Sequence, residues 1–127
     1  MKTKYKINHL KTSVVFSLFF ILFNCSGNEN TSTPTASITV INDSMVFGEI
    51  EEMNHSESQI LNIQAANLAA AVQIEASPNF EVSLDDTDFT SELSISNFES
   101  LNLYVRFSPQ SAALGLIYGT VTVSYTH

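Results

Sequence analysis

The sequence has few residues of several types that commonly stabilise proteins or take part in binding. It has no tryptophan, one cysteine and five basic residues among its 127 residues. Because the lone Cys25 cannot form an intramolecular disulfide, a folded body must depend on its apolar core. The histidines occur singly, which argues against a metal site built on Cys25, and the lack of tryptophan weakens a carbohydrate-binding interpretation.

Charge is divided sharply along the chain. Four of the five basic residues lie in the first eleven positions, whereas all thirteen acidic residues follow Cys25. Without residues 1–24 the side-chain charge changes from −8 to −12, since Arg106 is then the sole basic side chain. A body this acidic repels phosphate backbones and anionic head groups, so we do not expect it to bind nucleic acid.

Residues 1–24 have the organisation of a signal peptide. A basic segment, MKTKYKINHLK, precedes the apolar segment VVFSLFFILF, Val14 to Phe23. As a helix, these ten residues would span about 15 Å, roughly half of a hydrocarbon core of about 30 Å. We therefore expect an N-terminal signal-peptide helix that is removed, and not a membrane span.

The residues around Cys25 suggest a lipid attachment site. Leu22-Phe23-Asn24-Cys25 resembles the lipobox of bacterial lipoproteins. The resemblance implies cleavage before Cys25, a diacylglycerol on its thiol and a palmitate-type acyl chain on the new N-terminus, which together give stable anchoring. The alternative is cleavage after Gly27, at Cys25-Ser26-Gly27, which would release a secreted protein.

Beyond Cys25 the sequence divides into a tether and one domain. Residues 25–37 are rich in Ser, Thr and Asn and lack apolar periodicity, which is typical of a flexible tether. Residues 38–127 alternate apolar and polar positions, most clearly in LNLYVRF and IYGTVTVSY, which we expect to form a closing antiparallel pair. About seven short strands at this spacing predict an all-β antiparallel sandwich. The other candidate strands are Ile38–Ile41, Met45–Ile50, Ile60–Ala65, Val72–Ala76, Phe80–Leu84 and Leu93–Ser96.

One segment also fits a helix. SQILNIQAANLAAAVQIEAS is alanine-rich, and its apolar residues can be placed on a helical stripe. Alternation on both sides of Asn67-Leu68, together with the exit at Pro78, favours strand, turn and strand.

The order of motifs resembles a known module. The pieces are Asn67-Leu68, PNFEVS from Pro78, Asp85-Asp86, YVRF from Tyr104, and Gly119-Thr120. This order is similar to the immunoglobulin-like, hydin-like repeat modules of Bacteroidetes envelope and secreted proteins. The resemblance runs from about Met45 to Ser124 and implies an immunoglobulin-like sandwich in an envelope setting, with no shared active site or cofactor.

Few residues suggest a metal-binding or ligand-binding site. Asp85, Asp86 and Asp88 form a weak cation candidate without the EF-hand order. Tyr104 and Arg106 fall on one strand face, where they could contact a sugar or a protein partner, although a packing role is the plainer expectation.

Catalysis has little support in the sequence. His55 has acidic neighbours at Glu51, Glu52 and Glu57, but no nucleophile motif accompanies them, so we do not expect an enzyme. The sequence predicts a lipid-anchored envelope protein, on the periplasmic or outer face of the outer membrane, with a structural or adhesive role. The alternatives are a surface carbohydrate or polymer binder and a fragment of a larger exported enzyme.

Overall fold

The computed structural model describes residues 4–7, 10–17, 34–42, 44–51, 53–110 and 115–126. None of these residues is helical, which confirms the all-β prediction. Accordingly, no helix in these ranges has the length and hydrophobicity needed to cross a membrane. The strands are β1 (Lys4–Ile7), β2 (Leu10–Ser17), β3 (Ser37–Ile41), β4 (Ser44–Met45), β5 (Gly48–Glu51), β6 (Gln59–Ala66), β7 (Val72–Ala76), β8 (Phe80–Ser83), β9 (Glu92–Ile95), β10 (Ser100–Phe107) and β11 (Gly119–Thr126).

Two sheets carry the body. The first has the order β3-β6-β10-β8, with every neighbouring pair antiparallel. The second contains the antiparallel strands β11-β7-β9, and beyond β11 it continues through the parallel strand β2 to β4. A separate two-stranded sheet joins β1 and β5.

One apolar core lies between the inner faces of both sheets. The alternation in the sequence produces it, because successive side chains of a strand point to opposite faces. Leu103, Val105 and Phe107 of β10 are fully buried, as are Val121 and Val123 of β11. The same cluster includes Ile38, Met45, Phe47, Leu61, Ile63, Val72, Ile74, Phe80, Val82 and Tyr125.

The segment that also fitted a helix is strand, turn and strand, as predicted. β6 and β7 flank Asn67, whose φ of 56° lies in the left-handed region that asparagine tolerates. The two strands lie in different sheets, so this turn carries the chain across the core. The hydroxyl of Tyr125 accepts a 2.7 Å hydrogen bond from the backbone N–H of Ala69, which fixes the crossing.

Two predictions about the strands were wrong. LNLYVRF and IYGTVTVSY do not pair, because both edges of β10 are taken by β6 and β8, and β11 belongs to the other sheet. Alternation specifies which face of a strand is buried but not which strand lies beside it. The single strand expected over Met45–Ile50 is divided into β4 and β5, with Gly48 at a φ of 76°.

The N-terminal segment also differs from the expectation of a helix. Leu10–Ser17, which includes the start of the apolar segment, forms β2 and pairs with the whole of β11. β11 offers β2 a backbone partner along eight residues, and β-branched residues such as Thr12, Val14 and Val15 favour strands. Residues 18–33, with the remainder of the apolar segment, Cys25 and most of the predicted tether, lie outside the described residues.

Core packing makes a direct prediction about stability. Leu103 is 0 % exposed, and truncation of a buried leucine to alanine commonly costs about 2–5 kcal/mol in the free energy of unfolding. Leu103→Ala is therefore expected to destabilise the protein by that amount in urea titrations. Leu84→Ala is the matched control, because Leu84 is 45 % exposed and its truncation should cost less than about 0.5 kcal/mol. Equal losses in the two variants would contradict the assigned core.

Candidate functional site

Tyr104 and Arg106 lie on the outer face of the four-stranded sheet. Their neighbours in β10, Leu103 and Val105, point into the core, so strand alternation places Tyr104 and Arg106 on the opposite side. Tyr104 is half-buried and stands in register with Ile60 of β6 and Ser83 of β8. It is therefore flanked by strands on both sides.

Arg106 is engaged within the domain. Its Nε and one terminal nitrogen contact Oε2 of Glu81 at 2.8 Å and 2.7 Å. Its guanidinium carbon lies 3.9 Å from the centroid of the Phe89 ring, in cation–π geometry. A ligand would have to compete with Glu81 for these N–H groups, so the pair Tyr104 and Arg106 is not an open platform.

Sequence inspection missed the partners of Arg106. Glu81 is its register partner on β8, and Phe89 approaches from the loop that follows β8. The opposite charges were visible in the sequence, but which strand lies beside β10 was not.

The three aspartates of the weak cation candidate form a tight turn. Oδ1 of Asp85 accepts hydrogen bonds from the backbone N–H groups of Asp88 and Thr87, at 3.0 Å and 2.9 Å. It also accepts a 2.8 Å hydrogen bond from the hydroxyl of Ser83. These bonds, led by that from Asp88, hold the pKa of the Asp85 carboxyl well below its usual range. Across the described ranges, no three His, Cys, Asp or Glu side chains are arranged to hold a metal ion.

A small cleft of about 170 Å³ contains part of the group that suggested acid–base chemistry in the sequence. It is lined by 55–58, Asp86, Phe89 and Arg106. The hydroxyl of Ser56 donates to the carbonyl of Glu57 at 2.8 Å and accepts from the N–H of Phe107 at 2.9 Å. Ser56 therefore joins its loop to β10 and is not poised as a nucleophile. His55 and Glu57 both line this cleft, whereas Glu51 lies in β5 and Glu52 is outside the described residues.

A larger cleft of about 570 Å³ lies at one end of the domain. Its lining is 65–68, at the end of β6, and 97–99, between β9 and β10. Glu99 is the one ionisable side chain among these lining residues, so the cleft does not combine an acid with a base. The amide of Asn67 donates a 3.1 Å hydrogen bond to the carbonyl of Thr35, which ties this end to the beginning of the body.

Comparison with known proteins adds no functional assignment. No protein-family model matches the chain, and no curated protein is significantly similar to it. The resemblance to immunoglobulin-like envelope modules stays a prediction.

The Asp85 turn predicts a specific dependence of stability on pH. The pKa of this carboxyl is lowered on folding, so its stabilisation is complete above the unfolded value of about 3.9 and is lost as the pH falls below it. We expect Asp85→Asn to lower the melting temperature at pH 7 and to flatten its decline between about pH 5 and pH 2.

Asp86→Asn is the matched control for this experiment. Asp86 has a φ of 63°, which asparagine also tolerates, so the substitution removes one charge from the same turn and leaves the three hydrogen bonds to Asp85 in place. An Asp85→Asn variant with the wild-type pH profile would show that the turn does not depend on this carboxylate.

Proposed function

We propose that the protein is a lipid-anchored protein of the bacterial cell envelope. In this proposal residues 1–24 are removed, the thiol of Cys25 carries a diacylglycerol, and the body is an immunoglobulin-like β-sandwich with a structural or protein-interaction role. The observation that carries the proposal is the position of the lone cysteine, directly after an apolar segment and before a polar linker.

Physical considerations support this arrangement. Each buried CH₂ contributes about 0.8 kcal/mol, so two or more acyl chains anchor a protein stably where one chain is marginal. The linker from Cys25 to the first body strand at Ser37 can extend to about 40 Å. That reach lets a body of charge −12 remain clear of anionic head groups.

The sheet order supports the immunoglobulin-like assignment. In such sandwiches one sheet has the strand order A-B-E-D, and strands C and F are neighbours in the other. β3-β6-β10-β8 reproduces the first order, with β7 and β11 as the neighbours C and F. In this comparison β9 is an additional strand at the far edge of β7.

The described surface favours an interaction role over the carbohydrate alternative. Arg106 is already paired with Glu81 and stacked on Phe89, and Tyr104 is half-buried between neighbouring strands. Tyr104 and Arg106 thus stabilise the domain, and they do not form a sugar-sized binding site.

Mass spectrometry of the cell-purified protein tests the proposal. We expect the wild-type chain to lack residues 1–24 and to carry added acyl mass on Cys25, with palmitate label incorporated. Cys25→Ala should abolish the label and block cleavage at this position, because the thioether cannot form. Ser26→Ala is the control, and it should be processed and labelled like the wild type. An unmodified chain that begins at Asn28 would contradict the lipoprotein and support secretion.

A further inference from the structure

β11 has two edges, and β2 occupies one of them. β2 belongs to residues 1–24, the predicted signal peptide, which we call the leader. β7 pairs antiparallel with β11 from Val121 to Tyr125. On the opposite edge β2 runs parallel to β11 without a break, from Gly119 opposite Leu10 to Thr126 opposite Ser17. In the immunoglobulin comparison, this edge of strand F is the position of strand G.

The edge of β11 has none of the features that usually block the addition of another strand. Exposed edges are commonly protected by short length, charge, proline or a bulge. β11 is eight residues long, GTVTVSYT, with no charge and no proline, and its register with β7 is unbroken. By comparison, the edge strands β8 and β9 have four residues each and carry Glu81 and Glu92.

The backbone groups on this edge can be assigned. The N–H of Thr120 donates to Oγ of Ser77, and its carbonyl accepts from the N–H of Ser77, so the backbone of Thr120 faces the β7 side. Because these groups alternate along a strand, Thr122 and Ser124 also face β7. Val121, Val123 and Tyr125 therefore direct their N–H and carbonyl groups toward β2.

The register also defines the sequence that suits this edge. Leu10, Thr12, Val14 and Phe16 are the register partners of Gly119, Val121, Val123 and Tyr125, and the last three of these are buried. The occupying segment thus has largely apolar residues at alternate positions. It also contains Lys11 and no acidic residue, which suits a body of charge −12.

The chain's own β4 covers only one end of this edge if the leader is absent. Met45 and Gly119 are both paired with Leu10, and Ser44 and Thr120 with Lys11, so β4 lies one strand away from the beginning of β11. The preceding strand β3 is held in the other sheet by β6. A shift of β4 by about 4.8 Å would reach Gly119 and Thr120 and would not extend beyond them along β11.

We propose that removal of residues 1–24 opens the β11 edge as a binding site for an extended segment of a partner protein. The segment adds as a parallel strand, with apolar side chains at alternate positions and basic, not acidic, flanking residues. Main-chain hydrogen bonds to Val121, Val123 and Tyr125 supply affinity, and the alternate side chains supply specificity. The inference rests on the proposed function, because the leader must be removed for the edge to be free.

The test uses protein processed and purified from cells that express the full chain. Its intact mass first establishes whether residues 1–24 are absent. The probe is a synthetic peptide of residues 6–17, KINHLKTSVVFS, added during amide-exchange NMR. We expect it to slow exchange at Val121, Val123 and Tyr125 at least tenfold. The amides of Thr122 and Ser124, which face β7, are internal controls and should not change.

A peptide with Val15→Pro serves as the matched control, since in this parallel register the N–H of Val15 donates to the carbonyl of Val123, and proline lacks that N–H and should abolish the protection. Three results would overturn the inference. If the mass retains residues 1–24, the proposed function and the inference both fail. If the leader is absent and the peptide protects none of the three amides, the inference alone fails. Protection of the same amides before the peptide is added would show that the edge is already filled, by this chain or by a second copy.

Discussion

The structure depends on one apolar core shared by the inner faces of two sheets. With a single cysteine the chain has no intramolecular disulfide to stabilise it, so burial must offset the conformational entropy of a small domain. The alternation of apolar and polar residues along the strands provides this burial. β6, β7, β8, β10 and β11 each contribute two or more buried side chains, and alternate positions face outward, as in β10, where Leu103 and Val105 are buried and Asn102 is exposed. Crossings such as the turn at Asn67 bring successive strands to opposite sides of this core.

The sequence predicts this arrangement only up to the identity of each strand's neighbours. Alternation located most of the strands and the buried faces, and it correctly favoured strands over a helix between residues 60 and 76. It could not show that β10 and β11 lie in different sheets, because a buried face constrains a strand's orientation and not its partner. The pairing of Arg106 with Glu81 was hidden for the same reason. The strand at Leu10–Ser17 was missed because a basic and apolar N-terminus was interpreted as a signal-peptide helix, whereas β11 offers the same residues a sheet partner.

The polar residues in the candidate catalytic, metal-binding and ligand-binding groups stabilise local structure. Asp85 organises a turn through three hydrogen bonds, Ser56 joins a loop to β10, and Arg106 connects β10, β8 and the following loop. Their donors and acceptors are used within the domain, so they are poor candidates for chemistry. The two proposals rest on features of another kind: the position of Cys25 in the sequence and the long, uncharged strand β11. Both suit a protein that acts by being held at a surface and by contacting other proteins, and both depend on the fate of the first 24 residues.

The central claim is that residues 37–126 fold on their own core and that β2 is added to β11 from outside this body. Most of the described strands, β3 to β11, and the buried apolar side chains named for the core belong to residues 37–126. The most direct measurement is urea unfolding, followed by circular dichroism, of the protein without residues 1–24, which is the processed form that the proposal predicts. The account predicts a single cooperative transition, as expected for a small two-state domain. Absence of a cooperative transition in the processed protein would contradict it, since the leader would then be an essential part of the fold.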